Sequence, residues 1–416
     1  MLHAFNASDG TERWAYIPSM LMPKLWHLAD KNYANAHKNY VNGSTTISDV
    51  CRAPCTQASD WKTIWVGGLN EGGLGYYALD VSDEQPRLLW EFDLSDDTDL
   101  GYSYGNPVIT QQANGRWVVL LSSGYNNSGR GYLYVLDASS GDRIHKISTG
   151  VGNASTPSGL AKISAFVARP SEKNQADYAY GGDLLGNLWR FKIDAEESAS
   201  NPLLLARLTG PTGTAQAITA RPELGKISGK TVVFIGTGKY LESSDISSNG
   251  GQTLYAIKDT DRSLSRTDLA SRSISNASSG NSRTGTLHSH AFANGHGWYI
   301  DLPDAGERQV VPAKLASGTL VVPTMVPSTD ACSPGGYGWL NYINAKTGGI
   351  VSTTLDNLIA TRTSAPPVGI NILYLGTPFV SYTGGDSPTL QLDPNAPFNS
   401  GGGFSGKRAI WRELIP

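Results

Sequence analysis

The strongest constraint on the fold of this chain is a segment that recurs seven times along its 416 residues. Each copy is a short strand of alternating large residues, followed by Asp or Asn and a polar turn, and in most copies a second strand follows. The copies begin near residues 2, 76, 133, 188, 254, 298 and 340. A strand, a polar turn and a second strand predict a β-hairpin, so the chain is expected to consist of repeated hairpins.

The third copy shows the physics of the repeat. In LYVL (133–136), successive residues point to opposite faces and all four are apolar, so both faces of the strand are expected to be buried. Asp137 ends the strand with a carboxylate suited to accept turn N–H groups, and Gly141 permits the unusual backbone angles of the turn. Trp14 and Trp90 follow their turns, where we expect a large ring to wedge between neighbouring repeats.

Several hairpins are preceded by a further strand that ends at Gly, and these strands lie at 63–69, 117–125, 178–183 and 232–241. Together the strands give the outline of a four-stranded blade. We therefore predict an all-β fold, a single modified seven-bladed β-propeller over residues 1–416 with quinoprotein-like repeats. The uneven spacing requires insertions in loops. The largest insertion follows the first hairpin at about 17–60, and a helix is predicted within 17–43.

Charge and hydropathy argue against two classes of partner. The net charge is −3 and no basic block occurs, so the sequence gives no support for nucleic-acid binding. No run of about 18 apolar residues is present, so no membrane-spanning helix is predicted. The 47 glycines and the charged fraction of 17% are typical of many short strands joined by tight turns.

The cysteines indicate an exported protein. Cys51 and Cys55 lie in CRAPC, and a disulfide that closes a loop tip is the favoured interpretation, which implies an oxidising compartment. A reduced pair in a surface loop is the alternative, and Cys332 is left without an assignment. The chain shows no signal peptide and opens directly on a repeat strand, so we expect it to be a fragment of a longer protein.

Catalytic motifs give no support for an enzyme. The sequence lacks a GxSxG nucleophile elbow, an HExxH zinc site and a complete phosphate-binding loop, and GTGK (236–239) is too short for such a loop. We therefore predict that the protein acts by binding rather than by catalysis.

A set of longer segments is more specific than the repeat. These are MLHAFNASDGTERWAYIPS, WVGGLNEGGLGYYALDVSD, DLGYSYGNPVI, GYLYVLDASSGDRI, STPSGL, YAYGGDLLGNLWRFKID, PELGKISGKTVVFIGTGKYLE and the terminal IWREL. With these segments in this order, the chain resembles the C-terminal propeller domain of the PilC/PilY proteins of type IV pili. The resemblance covers most of the chain and is weakest from about 265 to 335.

The resemblance implies a large exported protein whose variable N-terminal region acts in adhesion to the host cell surface and is missing from this chain. It implies that the propeller promotes pilus assembly and opposes pilus retraction, with pilin subunits and type IV pilus assembly proteins as partners. It places the protein in the periplasm, at the outer membrane or at the pilus tip, and connects it with virulence.

The resemblance also implies a calcium site, because many members bind calcium in a loop that immediately precedes the YAYGGD strand. That loop resembles an EF-hand loop, and Asp177 falls at its ninth position. Here the first and fifth positions are Arg169 and Lys173, whose positive charge opposes a cation, so the aligned loop is degraded. A shifted set of oxygen ligands and an ordinary turn at Asp177 are the remaining interpretations. The shifted set consists of Glu172, Asn174 and Asp177, and Ser171 occupies the third position of the aligned loop, so these four residues are the candidate calcium ligands.

The sequence contains two other polar groups that are candidate binding sites. The acidic cluster of DLSDDTDLG (93–101) is compatible with a cation, but exposed charged turns have the same appearance and are favoured. Asp183, Gly186 and Asn187 are interpreted as a tight hairpin turn with a structural role.

Two functions from other classes stay open. In quinone-dependent dehydrogenases, Ala, Asp or Asn, Gly and Trp recur at the spacing seen in residues 4–14. This chain, however, has no adjacent cysteines and no evident set of basic residues to bind the carboxylates of a quinone. No quinone cofactor is therefore expected. A glycan- or matrix-binding adhesin surface is the other alternative. Neither function accounts for DLGYSYGNP and IWREL.

Overall fold

The computed structural model describes residues 1–51, 55–167, 173–198, 201–289, 292, 295–329, 335–351, 357–372 and 378–382. Contacts within the chain divide these residues into two compact units. Unit 1 comprises Met1–Ala179 and Phe191–Pro202, and unit 2 comprises Tyr180–Arg190 and the residues from Leu203 onward.

Unit 1 is built from antiparallel strands in the order of the sequence. It begins with the hairpin of β1 (Leu2–Phe5) and β2 (Glu12–Tyr16). Two four-stranded sheets follow, in which each strand pairs with the next. Their strands are β3 (Thr45–Cys51), β4 (Trp61–Gly68), β5 (Gly75–Asp80), β6 (Arg87–Asp93), β7 (Val108–Gln111), β8 (Trp117–Ser122), β9 (Tyr132–Asp137) and β10 (Arg143–Ser148).

A third four-stranded sheet has the same order. Its strands are β11 (Ile163–Val167), β12 (Ala176–Gly182), β13 (Asn187–Lys192) and β14 (Leu203–Arg207). Sequential strand order in all three sheets is the four-stranded blade that the repeat predicts, and the prediction of an all-β fold is confirmed.

Unit 2 contains two larger sheets and a hairpin. One sheet has the order β15-β16-β17-β21-β18, the next has the order β19-β20-β25-β24-β23-β22, and β26 pairs with β27. The strands are β15 (Glu223–Ile227), β16 (Lys230–Gly236), β17 (Thr253–Lys258), β18 (Ala270–Arg272), β19 (Ile274–Asn276), β20 (Ser282–Gly285), β21 (Gly297–Asp301), β22 (Lys314–Ala316), β23 (Thr319–Val326), β24 (Tyr337–Asn344), β25 (Leu358–Thr363), β26 (Pro367–Ile372) and β27 (Pro378–Tyr382).

The assignment of the copies near 254 and 298 to separate hairpins was wrong. Strand β17 pairs directly with β21, so the two copies are the third and fourth strands of one sheet. The chain between them adds β18 to that sheet in parallel and gives β19 and β20 to the next sheet. The described strands form seven sheets, two of which are hairpins. A count of seven blades therefore stays a prediction.

Burial explains why the repeats fold as they do. All six residues of β5 and of β8 are buried, and so are the four apolar residues of LYVL in β9. Both faces of these inner strands are covered, which confirms the expectation from their continuous apolar sequence. Each unit has its own large apolar cluster; Tyr76 and Tyr134 lie in that of unit 1, and Phe234 and Trp298 in that of unit 2.

The segment after the first hairpin contains 3₁₀ helices rather than an α-helix. The longer one, Ser19–Ala29, is called the insertion helix below, and Tyr33–Asn35 follows it. Pro23 lies inside the insertion helix, where its missing N–H interrupts regular α-helical hydrogen bonding. Strand β3 lies within the predicted insertion 17–60, so the second part of that segment belongs to the first four-stranded sheet. The remaining 3₁₀ helices are Ala58–Asp60, Ser243–Ser247 and Arg266–Asp268.

Candidate functional site

The turn of the third copy accepts a tryptophan from the preceding sheet. The Asp137 carboxylate accepts two N–H groups of the turn, at 2.9 and 3.1 Å, and Gly141 has a φ of +77°. Trp90 donates its indole N–H to the carbonyl of Ala138 at 3.0 Å. Its ring lies so close to Gly141 that a Cβ there would be 2.6 Å from the ring. We call this arrangement a docking turn, and it confirms the predicted wedge role of Trp90.

A second docking turn occurs in unit 2. Trp298 donates its indole N–H to the carbonyl of Ala345 at 3.1 Å, and a Cβ at Gly348, whose φ is +73°, would be 2.8 Å from the Trp298 ring. The role of Trp298 was missed by the sequence analysis. The sequence does contain a signal for this second docking turn, because Asp137–Gly141 and Asn344–Gly348 share the pattern Asp or Asn, Ala, two residues, Gly.

The first turn of the chain has the same pattern but holds no ring. Asn6, Ala7 and Gly10 occupy the equivalent positions, and the Gly10 N–H donates to the Asn6 carbonyl at 2.8 Å. Nothing in the described part of the chain lies within 4 Å of the position of a Gly10 Cβ. Trp14 packs edge-on against Trp65 of the next sheet, with ring centres 5.9 Å apart, so it lies between neighbouring repeats as predicted but does not dock on a turn.

The acidic cluster of 93–101 is satisfied by the protein itself. Lys146 donates to Asp97 at 2.8 Å and to Asp99 at 2.6 Å, and Arg143 also binds Asp97. Burial acts to raise the pKa of Asp99, but the hydrogen bonds from Lys146 outweigh it, so that the pKa lies below its usual value. Asp97 and Asp99 therefore belong to an ion-pair network, and Asp97 is buried, which differs from the exposed charged turn that was favoured from the sequence.

Asp183 forms the buried turn that its sequence predicts. One carboxylate oxygen accepts the backbone N–H groups of Leu185 and Asn187, and the other accepts the side chains of Asn187 and Trp189, each at 2.9 Å. Gly186 has a φ of +80°. Burial raises the pKa of Asp183, although four donors surround it. Every carboxylate oxygen has its partners, so the role of this residue is structural.

The described part of the predicted calcium loop offers few ligands. Ser171 and Glu172 lie outside the described residues. The Asn174 amide N–H donates to the carbonyl of Ile109 at 3.2 Å, and the side-chain oxygen of Asn174 is buried without a hydrogen bond. Asp177 is exposed and its carboxylate lies 3.5 Å from the Gln175 amide nitrogen.

These residues do not fit a calcium site by themselves. Ca²⁺ takes six to eight oxygen ligands with substantial negative charge, whereas Asn174 and Asp177 supply one charge beside the cation of Lys173. Within the part of the chain that the structure describes, no group of three His, Cys, Asp or Glu residues is placed to hold a metal ion. The calcium site implied by the resemblance stays a prediction that depends on Ser171 and Glu172, and the shortage of negative charge predicts that any binding there is weak.

Calorimetric titration of calcium into the chain is expected to show no saturable binding tighter than about 1 mM, the weak end of protein calcium sites. The reason is the shortage of negative charge around Asn174 and Asp177. Asp83→Ala, which removes another exposed carboxylate, is the matched control for Asp177→Ala. Saturable binding that is lost in Asp177→Ala and kept in Asp83→Ala would contradict the prediction.

The structure joins Cys51 and Cys55 in a disulfide with the Cα atoms 5.7 Å apart, as the spacing predicted. Cys51 is the last residue of β3, so the bridge fixes the chain where it leaves the sheet. Cys332 lies outside the described residues.

A buried ion pair in unit 2 was not foreseen from the sequence. Arg283 and Glu307 are both fully buried and form two parallel hydrogen bonds of 2.8 Å. Arg283 also pairs with Asp304 at 3.0 Å, and its guanidinium lies 3.8 Å from the centre of the Trp339 ring. No motif predicts this pair, because Arg283 lies on the short strand β20, between β19 and β25, and Glu307 lies in a loop 24 residues later.

The insertion helix is held by one carboxylate of strand β6. Glu91 accepts the hydroxyl of Tyr16 at 2.6 Å and the N–H of Ser19 at 2.7 Å, so it binds the first turn of the helix. Leu21 is fully buried in an apolar cluster with Leu69 and Tyr77. The start of the helix is therefore fixed to the first four-stranded sheet by both polar and apolar contacts.

Comparison with known proteins gives consistent matches. The family described as "PilY1 beta-propeller domain" matches residues 1–294. A type IV pilus biogenesis factor PilY1 homolog of Xylella fastidiosa is 31% identical over 94% of this chain and 28% of its own length. The type IV pilus biogenesis factor PilY1 of Pseudomonas aeruginosa is 31% identical over 86% of this chain and 35% of its own length. The chain therefore spans about a third of the length of these curated relatives.

One solved structure is also similar. The crystal structure of the Pseudomonas aeruginosa PilY1 C-terminal domain superimposes with a TM-score of 0.70 at 26% identity. The match covers 92% of this chain and 89% of that domain. Among the described residues, no helix has the length and apolar character needed to cross a membrane.

Proposed function

This chain belongs to the PilY1 β-propeller family, and on that premise we propose that it serves type IV pilus biogenesis as a binding module and not as an enzyme. The observation that carries the proposal is the extent of the likeness, which includes nearly the whole chain and its three-dimensional structure. Because a propeller fold alone hosts many functions, the family and not the fold supports the pilus role.

The proposed mode of action is contact with pilin subunits and pilus assembly proteins that promotes assembly and opposes retraction. Its support is a scaffold whose inner strands are buried on both faces and whose turns are fixed by docked tryptophans. Such a scaffold presents loops with little loss of conformational freedom on binding. We further propose that the protein is exported to the periplasm, outer membrane or pilus tip, and that a host surface is bound by a preceding N-terminal region.

Seven blades remain the proposed count. The support is the number of sheets among the described residues, five of four or more strands and two hairpins. An experimental structure that shows a number of blades other than seven would contradict this count.

A domain exchange tests the function. The C-terminal domain of Pseudomonas aeruginosa PilY1 is replaced by this chain, and surface pili are measured by shearing and electron microscopy. We expect pili on cells with the exchanged domain and few on cells whose PilY1 lacks the domain. The buried-pair variant Arg283→Met in the exchanged domain is the control for folding, because it should lower the number of pili together with the amount of folded protein.

The same exchange separates the two parts of the proposed mode of action. In cells whose retraction motor is inactive, a domain that only opposes retraction becomes dispensable for surface pili. A domain that is needed for assembly stays essential there. We expect the dependence on the domain to weaken in the motor-deficient strain. Equal dependence in both strains would count against the opposition to retraction while leaving an assembly role.

A further inference from the structure

The insertion helix exposes three large apolar side chains within seven residues. Trp26 is 64% exposed, Met22 59% and Leu28 52%, and Trp26 has the largest exposed fraction among the large apolar residues of the described chain. Single exposed apolar residues are ordinary on protein surfaces. Three of them within seven residues of one short helix are called the patch here, because clustered exposed apolar side chains mark protein or membrane interaction sites.

The exposure of the patch is built into the fold. Leu21, the neighbour of Met22, is fully buried, and the side chain of Met20 lies so close to Gly75 that a Cβ there would be 2.2 Å from the sulfur. Glu91 holds the first turn, as described above. The helix therefore cannot turn over to bury Met22 and Trp26 without losing these contacts.

The charges around the patch are positive. The segment 17–43 contains three lysines, Lys24, Lys31 and Lys38, and a single carboxylate, Asp30. All three lysines are exposed, and none has an ion-pair partner among the described residues. The chain as a whole has a net charge of −3, so the segment that carries the patch is more basic than the rest of the protein, although Glu91 and Glu71 contact it from other elements.

This combination indicates the surface that the patch fits. Protein interfaces are depleted in Lys, whereas helices that lie on membranes combine Trp and Leu with Lys near anionic headgroups. Eleven residues of 3₁₀ helix measure roughly 22 Å, too short to span the hydrocarbon core but sufficient to lie on it. We propose that the insertion helix binds the surface of an anionic phospholipid bilayer, with Met22, Trp26 and Leu28 in the headgroup region and the lysines at the phosphates.

The proposal predicts binding that depends on both lipid charge and the apolar side chains. Each lysine near an anionic surface is expected to contribute about fivefold in affinity. The loss of one buried large side chain is expected to cost about tenfold. The binding is also expected to weaken as salt concentration rises.

Co-sedimentation of the 416-residue chain with vesicles tests the proposal. One vesicle contains phosphatidylcholine and phosphatidylglycerol in equal parts, and the other contains phosphatidylcholine alone. We expect binding to the anionic vesicle and about tenfold weaker binding after Trp26→Ser. The double change Lys24→Glu with Lys38→Glu is expected to weaken it at least about 25-fold, since each lysine contributes about fivefold. All these side chains are exposed, so the melting temperatures of the variants should equal that of the parent.

Matched controls come from exposed residues elsewhere. Leu88→Ser removes an apolar side chain that is 52% exposed on β6, and Lys226→Glu reverses an exposed charge on β15. Both should bind the anionic vesicle like the parent. Absence of vesicle binding, or binding that is equal in the Trp26 variant and the parent, would overturn the proposal. If Trp26→Ser instead abolishes capture of pilin and leaves vesicle binding unchanged, the patch is a protein interface and the lipid proposal fails.

Discussion

Gly141→Ala is expected to lower the free energy of unfolding by about 2–4 kcal/mol, whereas Gly10→Ala should cost only about 1 kcal/mol. Both glycines have nearly the same positive φ, +77° and +75°, so the backbone strain of an added Cβ is the same. They differ in what the Cβ meets, which is the Trp90 ring at 2.6 Å for Gly141 and open space for Gly10. The difference between the variants therefore measures the docked ring.

A double-mutant cycle makes this test specific. Trp90→Ala is expected to cost about 3–5 kcal/mol, because it removes a buried ring and its hydrogen bond to Ala138. With Trp90 absent, Gly141→Ala should cost no more than Gly10→Ala does, since only the backbone strain remains. Urea unfolding of the four proteins followed by circular dichroism gives the values. If Gly141→Ala costs the same with and without Trp90, the ring does not dock on the turn.

Arg283→Met is expected to cost about 3–5 kcal/mol, because it leaves the fully buried Glu307 carboxylate without its cation. A second change, Glu307→Gln, in the same chain should recover part of the loss, since no uncompensated charge then stays buried. The control is Arg13→Met, which breaks a 3.8 Å pair with Glu84 at the surface and should have no measurable effect. Urea unfolding gives the free energy of unfolding of these variants and of Glu307→Gln alone. A double variant that loses as much stability as the two single variants together would contradict the prediction.

The sequence predicted the repeating part of the fold because the repeat has a direct physical signature. Continuous apolar residues in LYVL indicate a strand buried on both faces, and the structure buries all four. The Asp or Asn and Gly at fixed spacing indicate a turn with positive φ, and Gly141 has it. The wedge role of Trp90 followed from its position after the turn. These features depend on neighbours in sequence, which a reader of the sequence can see.

Features that depend on distant neighbours were not predicted. The pairing of β17 with β21 joins residues on either side of a 38-residue insertion, and its local pattern looks like two separate hairpins. The pair of Arg283 and Glu307 has no local signal, since a lone Arg and a lone Glu in polar segments usually lie at the surface. The anchoring of the insertion helix by Glu91 likewise joins residues that are 72 positions apart.

The candidate calcium loop was located through the resemblance to the family. The resemblance located Asp177, while the cationic Arg169 and Lys173 occupy two of the family's ligand positions, so calcium binding by the shifted set stays a prediction. In contrast, the sequence marks Met22, Leu25, Trp26 and Leu28 as an apolar stripe of the predicted helix, which ordinarily faces a core. The fold instead buries Leu21 and leaves Met22, Trp26 and Leu28 exposed.

The proposed role of this chain in type IV pilus biogenesis can be measured on cells in which it replaces the Pseudomonas aeruginosa PilY1 C-terminal domain. The quantity to measure is the amount of pilin sheared from the surface of these cells. We expect clearly more surface pilin on the cells with the exchanged domain than on cells that lack the domain, at equal total pilin. Surface pilin no higher than in the deletion, with the exchanged protein folded and exported, would contradict it.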